Sequence, residues 1–174
     1  MNEQSQGLRL PKLVEKDSRS PMLISALKSN SQQLWSQSKL KVPIAQLDDH
    51  LVTALKDAYI KGQIVRGLES AERTLAAEER GLRIADQKTG QARGIRVSRI
   101  LLLANDGAER FYRQVETLLL RHGQRVLAIR LDINADKLGS LLFGPNKIAK
   151  SVMLEHKSAV ASILLSLADQ WEID

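Results

Sequence analysis

The residues of this chain whose types could do chemistry are few and scattered. Three histidines, His50, His122 and His156, lie far apart and lack the close spacing of a metal-binding motif. There is no cysteine, which excludes disulfides, thiolate catalysis and cysteine-ligated zinc. Ser98 and Ser151 have no nucleophile-elbow context. The pairs Gly90/Gly94 and Gly139/Gly144 match no phosphate loop, and no Gly-x-Gly-x-x-Gly follows a strand. Asp106 and Glu109 open a helix, where capping and the positive end of the helix dipole account for both. His156 follows a strand without a partner. An enzyme acting on a small anionic substrate would need Asp106 and His156 to converge on a pocket at the strand ends. The sequence assigns no catalytic residue, no metal site and no cofactor, and the expectation is a protein that is not an enzyme.

What remains is charge. Lys and Arg number 26 against 20 Asp and Glu, a net charge of +6 that favours polyanionic partners. One stretch is one-sided: Arg80, Arg83, Lys88, Arg93, Arg96 and Arg99 have only Asp86 for acidic company. Asp86 to Val97 is polar, contains two glycines and reads as a loop. A basic loop of this kind suits phosphate contacts, because its cations replace condensed counterions. Aromatic residues are only 3% of the chain, which argues against the stacking platforms of single-strand binders.

The elements that would position these residues centre on Arg99 to Asp132, which reads strand, helix, strand. Ile100 to Ala104 is an unbroken apolar run, as in a strand buried on both faces. Asp106 is expected to cap the helix that follows. From Ala108 to Arg121 apolar residues recur at helical spacing, and His122-Gly123 stops the helix. Val126 to Leu131 is the second strand. Upstream, Pro43 to Ala58 reads as a helix with proline in its first turn, Gln63 to Arg66 as a short strand, and Leu68 to about Ile84 as another helix. Downstream, a short helix at 134–143 is followed by a strand at 148–154 and a closing helix at 157–171. This alternation predicts an α/β fold, a three-layer α/β/α sandwich with a four-stranded mixed sheet.

Residues 1–42 differ in composition. They are rich in Ser, Gln, Asn, Lys and Arg, and low hydrophobicity of this kind predicts a mobile basic leader with room for one short helix. The domain proper is then 43–174. No apolar run approaches the ~18 residues of a membrane span, and the first ten residues lack the apolar core of a secretory signal. The expectation is a soluble cytoplasmic protein without a membrane partner.

Read together, the elements from about Ile44 to Leu167 resemble the kink-turn-binding ribosomal-protein superfamily, that of L-seven-Ae and L-thirty-e. The resemblance is carried by Lys61-Gly62-Gln63-Ile64-Val65-Arg66-Gly67, by Leu101-Leu102-Leu103-Ala104-Asn105-Asp106-Gly107-Ala108, by His122-Gly123 leading into Val126 to Ile129, and by Lys137-Leu138-Gly139 to Gly144. It implies a non-enzymatic binder of structured RNA, ribosomal or other non-coding, in company with ribosomal proteins. In that family the grip lies at the turn and first residues of the second helix, with help from the loop before the last strand. The matching residues are Arg66, Gly67, Glu69, Ser70 and Arg73, and in the later loop Asn146, Lys147 and Lys150. Glu69 and Ser70 depart from the family's asparagine and glutamate, and a carboxylate cannot donate the bonds an amide can. Lys88, Arg93 and Arg96 of the basic loop would add electrostatic contacts. The alternative is a protein-interaction module that keeps the fold without binding RNA, its leader docking on a partner.

Overall fold

The computed structural model describes residues 7–90 and 95–172. The segment expected to be a mobile leader is folded over its described part, 7–42. It forms α1 (Lys12–Glu15), α2 (Ser20–Ser29), β1 (Ser31–Gln33) and the start of β2 (Lys41–Ala45). Average composition concealed the reason. The few apolar residues are spaced for burial, Leu10 with Val14 and Leu23 with Leu27, and all four are buried in the core. Each such side chain contributes about 1.5–3 kcal/mol on leaving water. Ion pairs fix the segment further: Arg19 bridges Asp17 and Asp169, and Glu15 joins Arg9 to Arg96. The turn after β1 is pinned by Glu116, which accepts from Trp35 Nε1 at 2.8 Å and Ser38 Oγ at 2.9 Å.

The chain continues through α3 (Asp49–Ile60), β3 (Ile64–Arg66), α4 (Leu68–Thr89), β4 (Arg99–Leu103), α5 (Glu109–His122), β5 (Val126–Leu131), α6 (Ala135–Phe143), β6 (Ser151–Leu154) and α7 (Lys157–Glu172). The helix expected to open at Pro43 opens later, because Asp48 caps it by accepting from Leu51 N at 2.9 Å. Pro43 instead lies in β2, one residue before pairing with β5 begins at Ile44, where its missing N–H costs no bond to β5.

The sheet has six strands in the order β1-β2-β5-β4-β6-β3, not four. The four expected strands are contiguous within it, and β2 and β1 extend the β5 side. β2, β5 and β4 are parallel, and β6 runs antiparallel to both β4 and β3. The ends of β4 and β3 and the start of β6 therefore share one edge of the sheet.

Alternation along the strands sends side chains to two cores. Ile100, Leu102, Ile129, Leu131, Val152 and Leu154 pack with residues of α1, α2, α3, α6 and α7. Leu101, Leu103, Val126, Ala128 and Met153 pack with residues of α4 and α5. Helices thus cover both faces, and a continuous apolar run in β4 serves both layers. Among the described residues no helix is long and apolar enough to cross a membrane.

Candidate nucleic-acid interface

The turn between β3 and α4 meets the loop before β6 because β3 and β6 pair, with Arg66 opposite Val152. Gly67 extends that pairing: its N–H donates to the Ser151 carbonyl at 3.1 Å. Its φ of 89° is a conformation that glycine adopts without strain. Gly67 also heads α4, accepting from Ala71 N, and no side chain caps the helix there. A helix start without a side-chain cap carries a local positive potential that favours anions.

Residues 144–150 form the other wall. Asn146 takes φ 63° and is exposed. Lys147 N donates to Gly144 O at 3.2 Å, and Ala149 N to Ala135 O at 3.0 Å. The loop lies so close to α6 that a Cβ on Gly139 would overlap the Lys147 carbonyl. Lys147 and Lys150 are exposed, and neither forms an ion pair among the described residues.

Arg66 joins the two walls. Its Nη2 donates to Ile148 O at 2.6 Å, and its guanidinium lies 4.7 Å from the centre of the Phe143 ring. Phe143 meets Tyr59 edge-on at 5.4 Å. Arg66 is therefore a clamp on the loop more than a free cation. On α4, Arg73 is exposed and, among the described residues, donates only to Ser70 Oγ, at 3.3 Å. Glu69 is the exposed carboxylate of the same turn. The structure thus joins Arg66 and Gly67 to residues 148 and 151, with Glu69, Ser70 and Arg73 following in the first turns of α4 and Asn146, Lys147 and Lys150 in the loop that Arg66 holds.

The basic 86–97 segment is elsewhere. Its first residues are helical: α4 runs on to Thr89 and is closed by Gly90 at φ 66°. Its 22 residues make a helix about 33 Å long, which places Lys88 far from the Gly67 turn. Arg96 is engaged, 2.7 Å from Glu15 Oε2 and donating to Leu10 O at 2.9 Å. Arg99 pairs with Glu78. Arg93 lies outside the described residues. Lys88 and Arg96 therefore do not form one surface with the Gly67 turn.

Asp106 does not cap the helix that follows it. It reaches across and accepts from Ala135 N, the first residue of α6, at 3.0 Å. Asn134 caps α6, accepting from Lys137 N at 2.8 Å. Because β6 runs antiparallel to β4, Asp106 and His156 sit at opposite edges of the sheet. His156 serves α7, its Nδ1 accepting from Ser158 N at 3.1 Å. A wide groove of about 440 Å³ between α3 and α7, lined by Asp49, His50, Asp57 and Ser162 among others, includes neither.

Two groupings had no sequence signal of their own. One is the Tyr59–Phe143–Arg66 cluster, drawn from three elements. The other is a charged clasp between α4 and α5. His122, with its side chain 1% exposed, has Nδ1 2.7 Å from Glu79 Oε1 and Nε2 3.0 Å from Glu72 Oε1. Arg121 also donates to Glu72, at 2.6 Å. Burial alone raises the Glu72 carboxyl; the donors His122 and Arg121 outweigh it and hold the group below its ordinary range. Helical spacing of Glu72 and Glu79, seven apart, places both on one side of α4, but nothing in the sequence points them at His122.

No protein-family model matches the chain, and no characterised protein matches it in sequence. It resembles a solved structure of a protein of unknown function from Bacillus halodurans, with a TM-score of 0.42 and 15% identity over 70% of this chain and 99% of that one. A likeness at that level carries no argument about function.

Proposed function

We propose that this chain is a non-enzymatic binder of structured RNA, a divergent relative of the L-seven-Ae and L-thirty-e proteins. The contact lies at the sheet edge where the Gly67 turn meets residues 144–150. The observation that carries the reading is this meeting: two segments 80 residues apart are joined by the β3–β6 ladder and the Arg66 clamp. The joint exposes Arg73, Lys147 and Lys150 beside an uncapped helix start. Such cations and amides suit phosphate oxygens, and phosphate contacts dominate affinity for nucleic acid. Ribosomal RNA or another folded non-coding RNA is the proposed ligand, with ribosomal proteins as neighbours in such a complex.

The test is a mobility-shift titration of the full chain with folded ribosomal RNA fragments across a salt series. Wild type should bind with an affinity that falls steeply with salt. The Lys147→Glu/Lys150→Glu variant should bind at least tenfold more weakly, with a shallower salt slope, by about one unit per contact removed. Equal binding by this variant and wild type would reject the interface.

A further inference from the structure

The second half of α4 is held to the domain without burying a residue. Ala71 and Leu75, both in the first half, are the residues of this helix that are buried. From 76 to 89 the helix runs on for ~21 Å. Its inward ties there are polar: Glu78 bonds Arg99 and Arg125, and Glu79 bonds His122. Helical spacing puts Arg73, Ala77, Arg80, Ile84 and Lys88, three or four residues apart, on one line along the side away from those ties. All five are exposed, Ile84 at 54%. No carboxylate falls on that line, and among the described residues Arg80 and Lys88 form no ion pair. Gly81 lies next to Ala77 and Ile84 on the same side. A glycine inside a helix is less stable than an alanine there, yet a Cβ added at Gly81 would meet nothing within 4 Å. Nothing among the described residues calls for glycine at this position; the close approach of another backbone is a reason for it.

We propose that this face of α4 docks an acidic amphipathic helix of a partner protein, laid along 77–88. The RNA-binding reading above uses the other end of α4, so the two stand or fall separately. Charge selects the occupant. Arg80 and Lys88 are about 12 Å apart along the axis, close to two turns. Carboxylates two turns apart on a partner helix can meet both. Ile84 lies midway between the two cations, so the partner offers an apolar residue between its carboxylates. A sugar-phosphate backbone has the charge but no apolar group for Ile84. A second copy of the same face would set cation against cation, which opposes association. A membrane surface calls for a broad apolar stripe, and the only large apolar residue on this line is Ile84.

The experiment titrates the full chain with stapled synthetic helices that carry leucine between glutamates two turns apart, in several registers. The same helices with lysine for glutamate are the control. Fluorescence anisotropy reads binding, and thermal melts confirm that each variant is folded. Wild type should bind a glutamate helix and none of the lysine helices. Arg80→Glu/Lys88→Glu and Ile84→Asp should each bind it at least tenfold more weakly. Gly81→Leu should raise the melting temperature, because leucine suits a helix better than glycine, and should weaken docking by a similar factor. All three variants should bind folded ribosomal RNA within a few fold of wild type. If wild type binds no glutamate helix, or charge reversal leaves that binding unchanged, the docking surface is overturned. If reversal costs tenfold in RNA binding while the helices stay unbound, the face belongs to nucleic acid and the proposal falls. A wild type that binds the glutamate helix but no RNA upholds the docking surface and overturns only the RNA reading.

Discussion

Arg66 shows what residue type reveals and what it does not. As a basic residue beside a glycine it invites a reading as a phosphate contact. Its bond to Ile148 O and its seat over Phe143 were not legible, because those partners lie about 80 residues away and only the β3–β6 pairing brings them near. A clamp and a bare charge behave differently on substitution. Arg66→Lys keeps the charge but loses the planar stack and the fork of donors. It should lower the melting temperature and broaden amide signals of residues 144–150, whereas Lys147→Gln should leave both unchanged; this can be read by calorimetry and by NMR. Gly67 was legible for a sounder reason, since a short strand running straight into a helix demands a sharp turn. At φ 89°, Gly67→Ala forces a side chain into a strained conformation and should cost about 1–2 kcal/mol by urea unfolding. Asp106 was misread because an Asp before a helix usually caps that helix. Here the shape of the strand-end turn carries it to the start of α6 instead.

Elements with strong periodicity were legible: the expected strand, helix and strand between Arg99 and Asp132 are β4, α5 and β5, paired in parallel. Elements held by a few well-placed residues were not. The segment 7–42 looked solvated on average, yet Leu10, Val14, Leu23 and Leu27 bury completely or nearly so, and β1 and β2 enlarge the sheet. Its docking carries a pH signature. Glu15 is held down at about 2, chiefly by the side-chain bonds from Arg9 and then Arg96. A carboxyl lowered on folding adds stability above its ordinary value near 4.5, and that stability is lost as pH falls toward 2. Melting temperature should therefore fall over that window, and less steeply in Glu15→Gln, whose stability at neutral pH should already be reduced. The α4–α5 clasp makes a second test at this scale. α4 buries only Ala71 and Leu75, so its hold on α5 depends heavily on Glu72, Glu79 and His122. His122→Ala removes both bonds and leaves two carboxylates facing a void, a loss of about 2 kcal/mol in urea unfolding. Hydrogen exchange should accelerate along α4 more than along α7.

At the scale of the molecule, the basic residues near the Gly67 turn and those near Lys88 lie at opposite ends of α4. Long-range placement of surface charge depends on how far a helix runs before it stops, and Asp86 to Thr89 continue α4 where a loop was expected. The whole of α4, lengthened by about 7 Å through that extension, sets the Gly67 end apart from the Lys88 end by ~33 Å. Two basic regions that look adjacent in sequence thus become rivals for the same role. The proposed interface assigns RNA to the Gly67 end. Equal charge reversals at the two ends decide between them directly: Arg73→Glu/Lys147→Glu/Lys150→Glu at one, Arg80→Glu/Arg83→Glu/Lys88→Glu at the other, each titrated with the same folded ribosomal RNA at fixed salt. The first variant should lose binding by at least a hundredfold while the second stays within a few fold of wild type. Undiminished binding by the first variant, or an equal loss in both, would contradict an interface at the Gly67 turn and the 144–150 loop.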